Sequence, residues 1–287
     1  MDAALEEVFE KLRQPAIWMR RTAMPRSQSR LGGLPSLPSG TPWPRQGVCK
    51  TPLHFLAQID LGALPASPLT PGGAALPQSG LLLFFADMEE DMVWGDDDRG
   101  TYEDATRVIH APAPGPETAP PADMPEIGHA WGEPGGRNTE PGLRSFPQAW
   151  LEAHVVDVFV GQGRTFSRET GWEADRRTLA SIERATGTKA PVTNMSAREP
   201  FSNYPDSEGG NRARIIRHQM LGPASDIQGG AVGMWKGGTV SLLQLDTDWG
   251  LHDKFQFCDM GMAQFWIARD DLAAGRFEAA YATTAGG

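Results

Sequence analysis

The chain has 287 residues, 40% of them hydrophobic, which is enough for one large domain or two small ones with a buried core. Its 33 glycines and 24 prolines imply many turns and favour β architecture over a helical bundle. A net charge of −10 repels phosphate backbones, and the basic residues are dispersed apart from Arg20, Arg21, Arg26 and Arg30 and, later, Arg212, Arg214 and Arg217, so nucleic acid is not an expected partner.

The acidic start, Met1 to Glu7, has neither the basic leader nor the apolar centre of a signal peptide. The longest apolar run, Leu81 to Ala86, is far short of the roughly 20 residues that cross a bilayer. The expected compartment is therefore the cytoplasm, with no membrane partner. Residues 2–13 read as a helix, with Leu5, Val8, Phe9 and Leu12 on one stripe and Pro15 ending it. Residues 22–53 are loop-rich, because Pro35, Pro38, Pro42 and Pro44 exclude a long helix. Strands are expected at Phe55 to Leu61 and Leu81 to Ala86, followed by an acidic stretch over 87–104. Residues 111–142 hold eight prolines and six glycines and read as a surface insertion. Order resumes with a strand at Val155 to Val160 and a helix over 171–186, which Thr170 caps and on which Trp172, Leu179 and Ile182 form the apolar face. A strand over 212–220, two more at Thr239 to Leu245 and Met262 to Ile267, and a short helix from Asp270 to Phe277 complete the chain. Cys49 and Cys258 form no C-x-x-C pair, and thiols are expected.

The chain repeats itself. Phe55-Leu56-Ala57-Gln58-Ile59-Asp60 aligns without gaps on Ser241-Leu242-Leu243-Gln244-Leu245-Asp246. Gly80 to Phe85 aligns on Gly261 to Trp266, and a similar turn precedes each pair: Leu31-Gly32-Gly33-Leu34-Pro35 and Met220-Leu221-Gly222-Pro223. Three matched blocks in one order indicate duplication. Copies near opposite ends of the chain that pack on each other imply one domain over 1–287. Alternation places Leu56, Gln58 and Asp60 on one face, with Leu242, Gln244 and Asp246 on its counterpart, and Phe55, Ala57, Ile59, Leu243 and Leu245 opposite. An amide inside such a strand needs partners, since leaving it unpaired costs roughly 1–3 kcal/mol. Either each glutamine ties a loop to the sheet, or the two form a pseudo-symmetric ligand site.

These blocks, together with Pro42-Trp43-Pro44, Leu76-Pro77, Ile227-Gln228, Asp248 and Asp259-Met260-Gly261, resemble the YwqG-like family, a bacterial family of unknown function. The resemblance spans two segments, near 29–87 and 217–278. It implies a β-rich, roll-like fold with a few helices and no established activity, and some relatives look like partners of bacterial toxins. The chain departs from the family at Phe257-Cys258, where Trp-Gly is usual.

Motifs for a nucleophile elbow, a zincin, a Walker loop and a dinucleotide fold are absent, and Gly161-Gln162-Gly163 reads as a turn. Asp246, Asp248 and Asp259 are the candidate ligands for a divalent cation such as calcium or magnesium, the one cofactor the chain suggests. Asp is equally at home at strand ends, where it caps turns. Cys258 with His252 is a weaker pairing, because a nucleophile and base need hydrogen-bond geometry across an intervening loop. Trp43, Trp94, Trp131, Trp235 and Trp249 fall in loops, either plugging the core or lining a cleft.

The expected fold is α+β and mainly β: duplicated antiparallel β units in a roll-like single domain, with an N-terminal helix and a few peripheral helices. The expected function is a non-catalytic binding or protein-interaction domain, an immunity-type partner of a bacterial toxin being one form of it. Its ligand-binding residues would be Trp43, Gln58, Asp60, Gln228 and Gln244. The alternative is a metal-assisted hydrolase using the Asp cluster.

Overall fold

Apolar residues in the strand segments near each end of the chain set up one large sheet whose inner face forms the core. The computed structural model describes residues 3–65, 76–89, 94, 100–128, 143–159, 168–188, 192–194, 213–225, 238–258 and 261–286. Four helices fall among them: α1 (Ala3–Leu12), α2 (Tyr102–Ala105), α3 (Arg168–Thr186) and α4 (Arg269–Ala273). The strands are β1 (Arg13–Thr22), β2 (Arg30–Leu31), β3 (His54–Asp60), β4 (Leu81–Ala86), β5 (Thr106–Ala111), β6 (Ala149–Phe159), β7 (Val192–Asn194), β8 (Ala213–Ile215), β9 (His218–Met220), β10 (Thr239–Asp246), β11 (Met262–Ala268) and β12 (Tyr281–Ala285). Ten of them make one antiparallel sheet in the order β12-β11-β10-β9-β1-β6-β2-β3-β4-β5, and β7 pairs separately with β8.

The sheet curls into a nearly closed barrel. Phe84 of β4 and Phe265 of β11 meet edge to face with centroids 5.1 Å apart. At the seam, the Ala282 N–H of β12 donates to Thr106 Oγ1 of β5 at 3.1 Å. Full closure would leave no edge to attract a foreign strand, and this near-closure leaves little.

The strand order is itself a repeat. Reading outward from the centre, β1-β9-β10-β11-β12 mirrors β6-β2-β3-β4-β5. Trp18 pairs with Gln219 and Ile17 with Met220, as Trp150 pairs with Arg30 and Ala149 with Leu31. Each copy also carries a β-bulge at the same place, between Phe55 and Ala57 against β4 and between Ser241 and Leu243 against β11. Beyond it the registers match residue for residue: Gln58 opposite Leu83 and Gln244 opposite Gln264. The expected duplication is thus present, and the segments 55–60 and 241–246 lie in one sheet. The first strands are exchanged. β1 precedes β2 in the chain but pairs with β9, while β6 precedes β9 but pairs with β2.

The bulge corrects the expected faces. An extra residue shifts everything before it to the other side of a period-two strand. Leu56 therefore joins Ala57 and Ile59 in the barrel interior, and Leu242 joins Leu243 and Leu245. Phe55 moves to the outer side with Leu83 and Phe85. The interior is filled by side chains from both copies, together with Phe146, Phe255 and Phe257. Outside, α3 lays Ile182 and Leu179 on Ala16, Trp18, Val156 and Val158. Helix α1 adds Phe9, Leu5 and Leu12, whereas Val8, expected on the same stripe, is 42% exposed.

Five strands escape the sequence reading, among them β2 and β7, which are only two and three residues long. β1 was hidden by Pro15, which the ladder tolerates opposite Asp157. β5 and β12 are short edge strands with little alternation. The expected strand over 212–220 divides into β8 and β9, and the expected last helix is α4 followed by a 3-10 turn at Phe277–Ala279. The described part of the proline-rich segment lies along the surface as a strap. Asp123 makes a two-pronged ion pair with Arg45, and the Thr118 N–H donates to the Pro35 carbonyl. Residues 129–142, Trp131 and Gly161 to Gly163 lie outside the described residues.

Candidate binding surface: two tethered loops

Each repeat holds one arched loop against its sheet with the same set of bonds. In the first, Gln58 Oε1 accepts from the Ser36 N–H (3.2 Å) and Nε2 donates to the Gln28 carbonyl (2.9 Å). In the second, Gln244 Oε1 accepts from the Ser225 N–H (2.8 Å) and Nε2 donates to the Arg217 carbonyl (3.0 Å). The aspartates match too. Asp60 Oδ2 accepts from the Gln28 N–H at 3.2 Å, and Asp246 Oδ2 from the Arg217 N–H at 2.9 Å. The Asp60 N–H donates to Ser29 Oγ (2.9 Å) where the Asp246 N–H donates to His218 Nδ1 (3.2 Å).

The loops turn alike. Gly32 and Gly33 have φ of 54° and 72°, and Leu221 and Gly222 have 57° and 66°. The second position needs glycine in both copies. A Cβ on Gly33 would lie 2.7 Å from Gln148 Oε1, and one on Gly222 would lie 2.7 Å from Ala16 Cβ. Leu221, a side-chain-bearing residue in the left-handed region, carries a backbone cost of about 1–2 kcal/mol that its burial offsets.

Gln58 and Gln244 are both fully buried, and each amide is bonded within its own repeat. The structure therefore assigns them to holding loops; among the described residues no hydrogen bond joins one to the other. Gln244 additionally accepts from Gln264 Nε2 at 3.3 Å, and Gln264 donates to the Ser225 carbonyl at 2.6 Å. Trp43 is half-buried, packs edge-on against Phe85 at 5.6 Å and donates its indole N–H to the Leu53 carbonyl, so it plugs the outer face of the first repeat. Trp94 and Trp249 are likewise tied, to the Asp87 carbonyl and to Gln256 Oε1. Gln228 and Trp235 lie outside the described residues.

Symmetry breaks at Asp248. Its buried carboxylate forms an ion pair with Arg21 Nε (2.7 Å) and accepts from Arg21 Nη2 (3.2 Å), from His218 Nε2 (3.3 Å) and from the Gly250 and Leu251 N–H groups. Because His218 accepts at Nδ1, its proton sits on Nε2 and both ring nitrogens are used. Burial opposes ionisation of Asp248, but the hydrogen bond from His218 and the adjacent Arg21 guanidinium prevail and hold its carboxyl below the usual range. Asp246 and Asp248 are thus engaged by protein donors, and Asp259 lies outside the described residues. Among the described residues no three His, Cys, Asp or Glu side chains gather to hold a metal ion. Both cysteines are thiols, Cys49 exposed and Cys258 half-buried, and His252 Nδ1 accepts from the Lys254 N–H.

The sequence carried no mark that Arg21 and His218 would meet Asp248, since they come from three separate strands and loops. A fourth repeat block was legible, however: Pro15-Ala16-Ile17-Trp18 against Pro147-Gln148-Ala149-Trp150.

A protein-family model described as a domain of unknown function (DUF1963) matches residues 29–285. No curated protein matches the chain.

Proposed function

The chain belongs to that family of domains of unknown function, and from this premise we propose that it is a non-catalytic binding domain for a protein partner, working through its tethered loops. The observation that carries the reading is the fate of the polar side chains. Gln58, Asp60, Gln244 and Asp246 give donors and acceptors to the backbone of the loops they hold. Such bonds fix a surface in advance, which lowers the ordering cost of binding. The surface that they support in the first repeat continues into residues 23–28, where Met24 is 72% exposed and Arg26 is exposed.

The finer form of the proposal is an immunity-type partner of a bacterial toxin, akin to the YwqG-like proteins and working in the cytoplasm. A net charge of −10 suits a basic partner and speeds its approach. No described helix is long and apolar enough to cross a membrane.

Calorimetric titration against the product of the adjacent reading frame tests the proposal. Saturable binding that M24D or Q58A weakens at least about tenfold supports it, a loss of about 1.4 kcal/mol. Binding that neither variant alters would move the surface elsewhere, and steady turnover of a substrate by the chain would remove the non-catalytic reading.

A further inference from the structure

Arg30 has a charge that its structural position does not require. It stands on β2 opposite Trp150, and its counterpart on β9 is Gln219 opposite Trp18. Both side chains pin the turn that follows. Arg30 Nη2 donates to the Leu34 carbonyl, while Gln219 Nε2 donates to the carbonyls of Leu221 (3.0 Å) and Pro223 (2.9 Å). A neutral amide thus does in one repeat what a guanidinium does in the other. Desolvating a cation is costly, so a charge beyond structural need points to recognition.

The guanidinium is built as a receptor and incompletely filled. Arg30 is 3% exposed and lies over the Trp150 ring at 5.6 Å, within cation–π range. Its charge is answered by Glu117, which comes from the proline-rich strap, lies 2.9 Å from Nη2 and is itself 50% exposed. The buried Nε–H has no acceptor among the described residues. Nε and Nη2 form the side of the fork that takes a carboxylate through both oxygens. Glu117 occupies one prong of it.

We infer that Arg30, backed by Trp150, is the centre of a carboxylate-binding site and that Glu117 is its built-in, displaceable occupant. An incoming carboxylate that bonds to both Nη2 and Nε replaces the one-pronged Glu117 contact and loosens the strap. The group can come from a small organic acid or from an acidic side chain of a partner. The inference shares loop 28–36 with the proposed function and otherwise stands apart from it.

The test uses the full chain and its E117Q, R30Q and E117Q/R30Q variants, titrated with succinate, with a capped Glu-Glu-Glu peptide and with neutral succinamide. The readout is the Arg30 Nε–H resonance, assigned by its loss in R30Q; Gln219 indicates that glutamine is tolerated at the equivalent site. The expected result is a saturable shift of that resonance with at least one carboxylate, about tenfold tighter in E117Q than in the parent chain, absent with succinamide. In E117Q/R30Q the carboxylate should cause no thermal stabilisation. A response to succinate identifies a small acid as sufficient, and a response to the peptide alone identifies a partner's acidic side chain. If E117Q fails to fold, the parent chain titrated to higher concentration reads the same shift. No shift with either carboxylate, or an equal response to succinamide, overturns the inference and leaves Glu117 as a latch. Either outcome leaves the partner titration with M24D untouched.

Discussion

Arg20 and Glu152 face each other on β1 and β6, joined by an ion pair, and each is the other's counterpart in the internal repeat. The pseudo-twofold axis of the barrel therefore passes between them. Two identical halves would place like charges here; the chain has opposite ones. Glu152 is held below the usual carboxyl range because, against the effect of burial, the bond from Arg20 and the nearby His154 favour the charged form.

Reversing one charge at the axis should be costly and reversing both should not. E152R sets two guanidinium groups together at a site where the side chains are 24% and 9% exposed. A loss of about 1–3 kcal/mol in urea unfolding is expected, between the values for surface and buried pairs. R20E/E152R should recover more than half of it. Equal losses in the single and double variants would mean that the pair contributes through packing alone.

The two loop-holding glutamines should act independently. Q58A and Q244A each leave a buried N–H and carbonyl without their partner, a cost of about 1–3 kcal/mol apiece. Because their partners are separate, the double variant should equal the sum within about 0.5 kcal/mol. A larger coupling energy would indicate one shared site between the repeats.

Acid should destabilise the protein in two stages. Burial lowers the pKa of His54 below its ordinary 6.5, outweighing its bond to the Pro125 carbonyl, so the fold prefers the neutral ring. That contribution is whole above the unfolded value and is lost as pH falls through the folded one. Asp248 is also depressed, from an ordinary 3.8, so its contribution holds above that value and disappears as pH falls through the lower, folded one. Urea unfolding across pH should show a first decline below about 6.5, reduced in H54Q, and a second below about 4, reduced in D248N. A flat profile in the parent chain between pH 7 and 5 would contradict the first.

The metal-assisted alternative makes its own forecast. Calcium or magnesium would give saturable heat in calorimetry, removed by D246N, D248N or D259N. The binding-domain reading expects neither cation to give such heat at millimolar concentration, because Asp248 already receives five donor contacts.

Much of the scaffold was legible before any coordinates. Phe55 to Asp60 and Ser241 to Asp246 alternate apolar and polar residues, so they read as strands, and their gapless alignment exposed the duplication. That Gln58 and Gln244 must find partners also followed from burial alone. The bulge at Leu56 and Leu242 was invisible, because it is defined by the opposing strand and not by the residues that bulge. β12, Tyr-Ala-Thr-Thr-Ala, has too weak a pattern to announce itself and takes its shape from β11.

Local chemistry along the chain thus determined which segments read as extended, that one unit occurs twice, and that its amides need partners. Only the tertiary structure decided that the leading strands change places, that Arg20 meets Glu152 on the symmetry axis, and that Asp248 gathers Arg21 and His218. Those facts depend on which distant residues close upon one another. Strand pairing is carried by backbone groups common to every residue, so its long-range choices leave little trace in the order of side chains.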